Sequence, residues 1–213
     1  MTKATFLQQL NWRYAAKKFD SSKKISAEDW SFLEEVLRLS PSSYGLQPWK
    51  FFLIENPEVR KQLLTASWGQ SQVVDCSHFV VFTTLKKMDE AYVDKYIKSI
   101  SDIRGVSIST LDGFKKNIVN TWVNKAKPEE LLSWTRRQVY IPMGNLMNAA
   151  AMIGVDTTPM EGLQPEKYDE ILKLQSSEFA TVAAVACGYR HPQDPLIQAK
   201  KVRFARSEII QTI

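Results

Sequence analysis

The sequence predicts an α+β fold, because segments with helical and with strand-like patterning follow one another without the strict alternation of βαβ units. No GxGxxG motif follows a predicted strand and no GxxxxGK[ST] motif occurs, so neither a Rossmann domain nor a P-loop is expected. The chain has 213 residues, of which 44% are hydrophobic and 24% charged. These values are typical of a globular protein, and we expect one domain spanning residues 1–213.

The predicted helices are marked by helical spacing of apolar residues and by start and stop signals. The clearest helix begins after Ser26, an N-cap with Asp29 three residues later, and ends before the Pro- and Gly-containing loop 40–45. Its buried stripe comprises Trp30, Leu33, Val36 and Leu37. Other helices are predicted near residues 6–10 and over residues 57–64, 89–102, 109–125 and 165–174.

The longest predicted helix follows Pro128 and ends at Gly154. Its C-terminal half, MGNLMNAAAMIG, is small and apolar on several faces, which indicates burial on more than one side, as at the centre of a dimer. The last twenty or so residues are polar, basic and without periodicity, and we interpret them as an extended arm.

Four segments are predicted to be strands: residues 49–54, 79–84, 155–158 and 179–188. The last contains TVAAVACG, which is apolar at consecutive positions and therefore on both faces of a strand. This pattern predicts a central position in the sheet.

The formal net charge is +5, and the cations are interleaved with acidic residues rather than gathered in a basic stripe. We therefore expect no nucleic-acid partner. Two short basic clusters, residues 13–18 and 200–206, are candidates for a phosphate site.

Cys76 and Cys187 lie in apolar surroundings and are expected to be buried free thiols, since no CxxC motif is present. With only His78 and His191, a histidine-rich metal site is not expected. The chain has no signal-like segment and no apolar run long enough to span a bilayer, so we expect a cytoplasmic protein without a membrane partner.

Five segments carry a resemblance to a known family when they are taken together and in order. They are RYAAKKFD (13–20), SPSSYGLQPWKF (40–51), GQSQVVDCSHFVVF (69–82), RQVYIPMGNLMNAAAMIGVDTTPMEG (137–162) and KKVR (200–203). The chain thereby resembles the FMN-dependent, oxygen-insensitive nitroreductases. The resemblance implies a mixed, largely antiparallel sheet flanked by helices. It also implies a homodimer with a long dimer-core helix, C-terminal arms exchanged between subunits, and two FMN sites at the interface.

The resemblance also implies how the basic clusters bind FMN. Arg13, with Tyr14 and Ala15 beside it, would contact the phosphate and ribityl region, although Ala15 stands where the family often has Ser. Lys201 and Arg203 would form a second clamp on the phosphate. Lys17 would face the N1 and O2 edge of the flavin and stabilise the charge that hydride transfer leaves there.

Three further segments are implied to line the flavin. The loop residues Pro41, Ser42, Ser43 and Gly45 would reach into the partner's site, and many relatives have Asn where this chain has Gly45. Gly69 and the side-chain amides of Gln70, Gln72 and Gln138 would contact the polar edge of the ring. The segment Pro159, Met160, Glu161 and Gly162 would pass beside the central ring, with the Glu161 backbone N–H against N5 and the Glu161 side chain in a structural role.

We expect an FMN-dependent oxidoreductase that takes a hydride from NADH or NADPH and passes it to nitroaromatic, quinone or similar small-molecule acceptors by a ping-pong mechanism. Tyr44 and Trp122 are the candidate acceptor-pocket residues, and the variable region 89–127 would decide the substrate. The alternatives are a flavin reductase, an enone reductase or a dehalogenase on the same scaffold, and a flavin-binding sensory protein without rapid turnover.

Overall fold

A computed structural model describes residues 2–213, in which four strands form one antiparallel sheet of order β1-β2-β4-β3. The strands are β1 (Trp49–Leu53), β2 (His78–Leu85), β3 (Asp156–Met160) and β4 (Phe179–Gly188). Strand β4 lies between β2 and β3, which confirms its predicted central position. A single parallel bridge from Ala15 to Thr157 adds the N-terminal segment to the outer edge of β3, and the predicted largely antiparallel sheet is confirmed.

Residues 2–213 contain nine α-helices. They are α1 (Lys3–Trp12), α2 (Ala27–Arg38), α3 (Pro57–Thr65), α4 (Gln72–Asp75), α5 (Glu90–Arg104), α6 (Asp112–Ile118), α7 (Pro128–Met152), α8 (Pro165–Ile171) and α9 (Arg206–Ile209). Short 3₁₀ turns cover Ser43–Gly45 and Ile108–Leu111, and a π-helix covers Val119–Lys125. No helix in the described part of the chain is long and apolar enough to cross a membrane.

The predicted start of α2 after Ser26 and the predicted end of α7 near Gly154 are confirmed. Ser26 accepts a hydrogen bond from Asp29 N at 3.0 Å and starts α2, and Gly154, with φ +76°, follows the end of α7. The prediction of one helix over residues 109–125 is wrong. Its N-terminal part is a 3₁₀ turn, where Ser107 O accepts the Thr110 hydroxyl proton at 2.6 Å, and its C-terminal part widens to a π-helix.

Helix α8 ends at Ile171, three residues earlier than predicted, because Lys173 adopts a left-handed conformation with φ 58°. The short helices α4 and α9 were not predicted. Each has four residues, too few for an apolar period to be recognised.

Both faces of the sheet are covered by helices. Phe79 and Val81 of β2 point into one apolar cluster with Leu63 of α3 and Tyr168 of α8. Their neighbours Val80 and Phe82 point to the opposite face, into a cluster with α2 and α7. A third cluster joins α5, α6, the π-helix and the start of α7. Cys76 and Cys187 are buried free thiols, as predicted.

Candidate functional site

The N-terminal segment after α1 is held against the outer edge of β3. Besides the bridge between Ala15 and Thr157, the Thr158 hydroxyl donates to the Ala16 carbonyl oxygen at 2.5 Å. The residues expected from the sequence to bind FMN at this end of the chain, Arg13 to Lys17, therefore lie beside the strand that leads to Glu161. The Lys17 side chain is exposed.

A buried carboxylate fixes the turn after this segment. Asp194 accepts hydrogen bonds from the backbone N–H groups of Lys17 (2.6 Å), Lys18 (2.8 Å) and Leu196 (2.8 Å). Burial by itself would raise the pKa of Asp194, but these backbone donors outweigh it and hold the pKa below its ordinary value. Sequence reasoning missed Asp194, since an isolated Asp between two prolines reads as an ordinary turn residue.

Three cations from the N-terminal segment and the C-terminal arm lie close together and form what we call the cation corner: Arg13, Lys201 and Arg203. The Lys201 ammonium donates to the Arg13 carbonyl oxygen, which ties the C-terminal arm to the N-terminal segment of the same chain. Burial, and then the charge of Arg203, lower the pKa of Arg13. Burial and the two neighbouring guanidiniums likewise lower the pKa of Lys201.

The cation corner lines a cavity of about 560 Å³ that also touches Tyr14, Ala15 and Lys200. Within the described residues, the Arg13 Nε atom is buried without a hydrogen-bond partner. A buried unpaired donor is costly, as are like charges in proximity. A bound anion would offset the repulsion among the three cations, so the corner has the chemistry of a phosphate site.

A fourth cation at this cavity, Arg190, is already neutralised. Its Nε and backbone N–H donate to the two carboxylate oxygens of buried Asp156 at 2.8 and 2.9 Å. Its guanidinium also stacks on Trp12 and Tyr14, 4.1 and 4.4 Å from their ring centroids. Arg190 therefore forms a wall of the cavity, and sequence reasoning missed it because it lies outside the basic clusters.

The segment after β3 meets the turn before α4. Gln70 Nε2 donates to the Gly162 carbonyl oxygen at 2.7 Å. A Cβ at Gly162 would lie 3.0 Å from that amide and 3.1 Å from a Trp68 ring carbon, so only glycine fits without displacement. The predicted residues Gly69, Gln70 and Gly162 are thus brought together, and Trp68, which the sequence did not single out, joins them with 68% of its surface exposed.

Two other predicted residues near this segment have their side chains engaged. The Glu161 carboxylate accepts a hydrogen bond from the Tyr140 hydroxyl of α7 at 2.5 Å. Gln72 lies in α4 with only 5% of its surface exposed. Pro159 and Met160 are the last two residues of β3.

The loop Pro41–Gly45 is joined by a hydrogen bond to helix α7. Ser43 N donates to Gln138 Oε1 at 2.9 Å, and Ser42 Oγ accepts from Gln47 N at 2.8 Å. The loop and Gln138 are therefore joined to each other. In residues 2–213 no hydrogen bond links the loop to the cation corner.

The two predicted acceptor residues belong to the third apolar cluster. Tyr44 lies 6.2 Å from Phe114 between ring centroids, and Trp122 stacks on Trp134 of α7 at 4.2 Å. Trp122 sits in the π-helix, a distortion that often occurs at functional sites. Its indole nitrogen is buried and finds no hydrogen-bond partner among residues 2–213.

The residues present therefore fit the FMN implied by the sequence resemblance. The cation corner offers charge and an unpaired donor to a phosphate, and the segments around residues 69–70 and 159–162 offer backbone groups and amides beyond it. The fold and the site together define a class of α+β proteins in which an anion-binding corner at the edge of the sheet suits a phosphorylated cofactor.

Comparison with known proteins narrows this class. The nitroreductase family model matches residues 10–189, and the chain belongs to that family of oxidoreductases. It is 37% identical to the Bacillus subtilis protein YfkO, provisionally named an NAD(P)H nitroreductase, over 99% of this chain and 98% of YfkO.

Solved structures share the fold. A Bacillus subtilis protein provisionally identified as the nitroreductase YdfN superposes with a TM-score of 0.88 at 22% identity, over the full length of both chains. A provisionally identified nitroreductase from Exiguobacterium sibiricum, solved in complex with FMN, gives a TM-score of 0.80 at 20% identity, over 98% of this chain and 97% of that one.

Proposed function

We propose that this oxidoreductase is an FMN-dependent homodimer that uses NADH or NADPH to reduce nitroaromatic, quinone or similar organic acceptors. The observation that carries the proposal is the cation corner, where three cations line one cavity beside β3. When bound, FMN supplies the chemistry of hydride acceptance from the nicotinamide and donation to the acceptor in a ping-pong sequence.

The chain's own residues would bind, orient and polarise. Arg13, Lys201 and Arg203 would hold the phosphate, with the guanidiniums contributing paired donors. Asp194 would fix the turn from which Lys17 projects, so that this cation lies beside the pyrimidine edge of the ring. Gln70 would keep the segment after β3 in place through its 2.7 Å bond to Gly162.

The dimer is supported by apolar residues that one protomer leaves in solvent. The arm exposes Val202, Phe204, Ile209, Ile210 and Ile213, and helix α7 exposes Ile141. Exposed apolar residues concentrated on an extended arm are typical of a segment that packs on a partner. In the dimer the loop Pro41–Gly45, which makes no hydrogen bond to the cation corner within residues 2–213, would complete the site of the partner.

The proposal is tested by absorbance spectra of the purified protein, with FMN added if needed, before and after anaerobic addition of NADH and then NADPH. We expect flavin bands that bleach within the mixing time of one or both donors, followed by reoxidation when a quinone or nitroaromatic is added. Bands that persist would instead support a non-turnover flavin-binding protein, and failure to bind FMN would overturn the proposal altogether. Size-exclusion chromatography with light scattering checks the dimer.

A further inference from the structure

Tyr140 and Glu161 form a contact that the proposed mechanism does not use. They come from different elements, α7 and the segment after β3, and the Tyr140 hydroxyl donates to Glu161 Oε1 at 2.5 Å. An O–H···O⁻ hydrogen bond of this length is of the strong, charge-assisted kind. Tyr140 is 43% exposed, so core packing does not account for the pairing.

The hydroxyl is suited to act as a permanent donor. Burial, and then the bond to Glu161, raise the pKa of Tyr140 to about 12. The proton therefore stays on the tyrosine across the physiological pH range, and the bond keeps one polarity.

The segment that contains Glu161 is held from its other side as well. Gln70 binds the Gly162 carbonyl at 2.7 Å, and the Trp68 ring lies against Gly162. Leu163 N closes a tight turn on the Glu161 carbonyl at 2.8 Å. Without Tyr140, all of these restraints would act on the C-terminal side of Glu161, and none on its side chain.

The place of Glu161 in the chain explains why its position matters. Glu161 directly follows Met160, the last residue of β3, and β3 is the outer strand of the sheet. The N-terminal segment that carries Arg13 bridges the same strand at Thr157. The Glu161 backbone therefore lies at the end of the strand beside which the cation corner is built.

We propose that Tyr140 is a positioning residue that, by holding the Glu161 side chain, fixes the Glu161 backbone N–H at the flavin and so sets the rate and potential of flavin reduction. This inference rests on the proposed function, because it requires FMN to bind along the edge of β3. Tyr140 acts through Glu161 and has no proton to transfer in this role.

The test is Tyr140→Phe in the FMN-loaded protein, with Tyr189→Phe as the matched control. Tyr189 packs in the apolar cluster formed with α2 and α7, and no segment proposed to bind FMN or the acceptor contains it. Three quantities are measured: the Kd for FMN, the maximal rate of anaerobic reduction as the nicotinamide concentration is varied, and the midpoint potential of bound FMN.

We expect Tyr140→Phe to retain FMN with nearly the affinity of the unaltered protein, but to lose on the order of tenfold in maximal reduction rate, as fits one lost charge-assisted bond. The midpoint potential should shift with the rate, and Tyr189→Phe should change neither. Glu161→Gln, which keeps an acceptor oxygen, should retain more activity than Glu161→Ala. Adding Tyr140→Phe to Glu161→Ala should cost nothing further.

An unchanged rate and potential in Tyr140→Phe would overturn the inference, as would a loss that appears entirely as weaker FMN binding or equally in Tyr189→Phe. Failure of the proposed function is distinguishable, since the unaltered protein would then not bind FMN or not bleach with either nicotinamide.

Discussion

The cation corner differs in charge pairing and in packing from a second region, the aromatic lobe, which we define as residues 90–126 with Trp134 of α7. The corner brings the like charges of Arg13, Lys201 and Arg203 together, so it is electrostatically unfavourable by itself. The lobe pairs its charge and packs its rings: Lys115 bonds Asp94 and Glu90, and Trp122 stacks on Trp134, although its indole nitrogen has no hydrogen-bond partner among residues 2–213. The unpaired charges of the corner indicate that it binds a ligand, whereas the packed rings of the lobe indicate a rigid region that limits access to that ligand.

The comparison predicts that the lobe, and not the corner, carries stability. Trp134→Ala should lower the free energy of unfolding by about 3–5 kcal/mol, because it removes a large side chain with only 6% of its surface exposed and leaves Trp122 without its stacking partner. Urea denaturation measures this. The control Trp68→Ala removes an indole that is 68% exposed and should change the unfolding free energy by less than about 1 kcal/mol. Equal losses in the two variants would contradict the assignment.

The same contrast explains what the sequence could predict. The corner was predictable because the segments that contain Arg13, Lys201 and Arg203 resemble those of the nitroreductase family. Asp194, which fixes the turn at Lys17, was not predictable, because a carboxylate that accepts backbone N–H groups leaves no pattern in the sequence.

The lobe resisted prediction for a different reason. Residues 109–125 have helical composition, but their hydrogen bonding changes from 3₁₀ to α to π, and helical spacing of apolar residues does not distinguish these forms. The π-helix carries Trp122, which stacks on Trp134 of the following helix. The four strands were predicted within two residues of their ends, since apolar alternation and β-branched composition are local signals.

The second prediction tests Asp194, the carboxylate that fixes the turn at Lys17. Asp194→Ala should lower the free energy of unfolding by up to about 3 kcal/mol, because it leaves the backbone donors of Lys17, Lys18 and Leu196 without their acceptor. It should also weaken FMN binding, since the turn that positions Lys17 loosens. A variant that unfolds like the unaltered protein would show that water replaces the carboxylate.

The pH dependence of this effect has a definite sign. The pKa of Asp194 is lower in the folded chain than its value of about 3.9 when unfolded, so the bond contributes stability above that pH. The contribution is lost as pH falls through the folded value. The difference in unfolding free energy between the unaltered protein and Asp194→Ala should therefore shrink between pH 7 and pH 3, and a constant difference would contradict this account.

The third prediction separates binding from stability within the corner. Arg203→Ala should weaken FMN binding by about 1–3 kcal/mol if one charge-assisted contact to the phosphate is lost. Without FMN, the same change should leave the protein as stable or slightly more stable, because Arg203 repels Arg13 and Lys201. Fluorescence titration with FMN and urea denaturation of the apoprotein measure the two effects. Arg206→Ala, in the exposed helix α9, is the control and should alter neither, and a loss of apoprotein stability in Arg203→Ala would argue against an unpaired cation.

The smallest effect on the free energy of unfolding is expected at Gly45, in the loop Pro41–Gly45 that contacts the lobe. Gly45 has φ +74°, and a Cβ there would overlap the Tyr96 hydroxyl. Gly45→Ala should cost about 1–2 kcal/mol for the left-handed conformation, and the Tyr96 side chain must also swing away. In a Tyr96→Ala background the overlap disappears but the backbone strain remains, so the cost of Gly45→Ala should fall without reaching zero. Equal costs in both backgrounds, measured by urea denaturation, would show that Tyr96 moves freely. Gly45 would then be required for its backbone conformation alone, and the lobe could accommodate a larger side chain at this position.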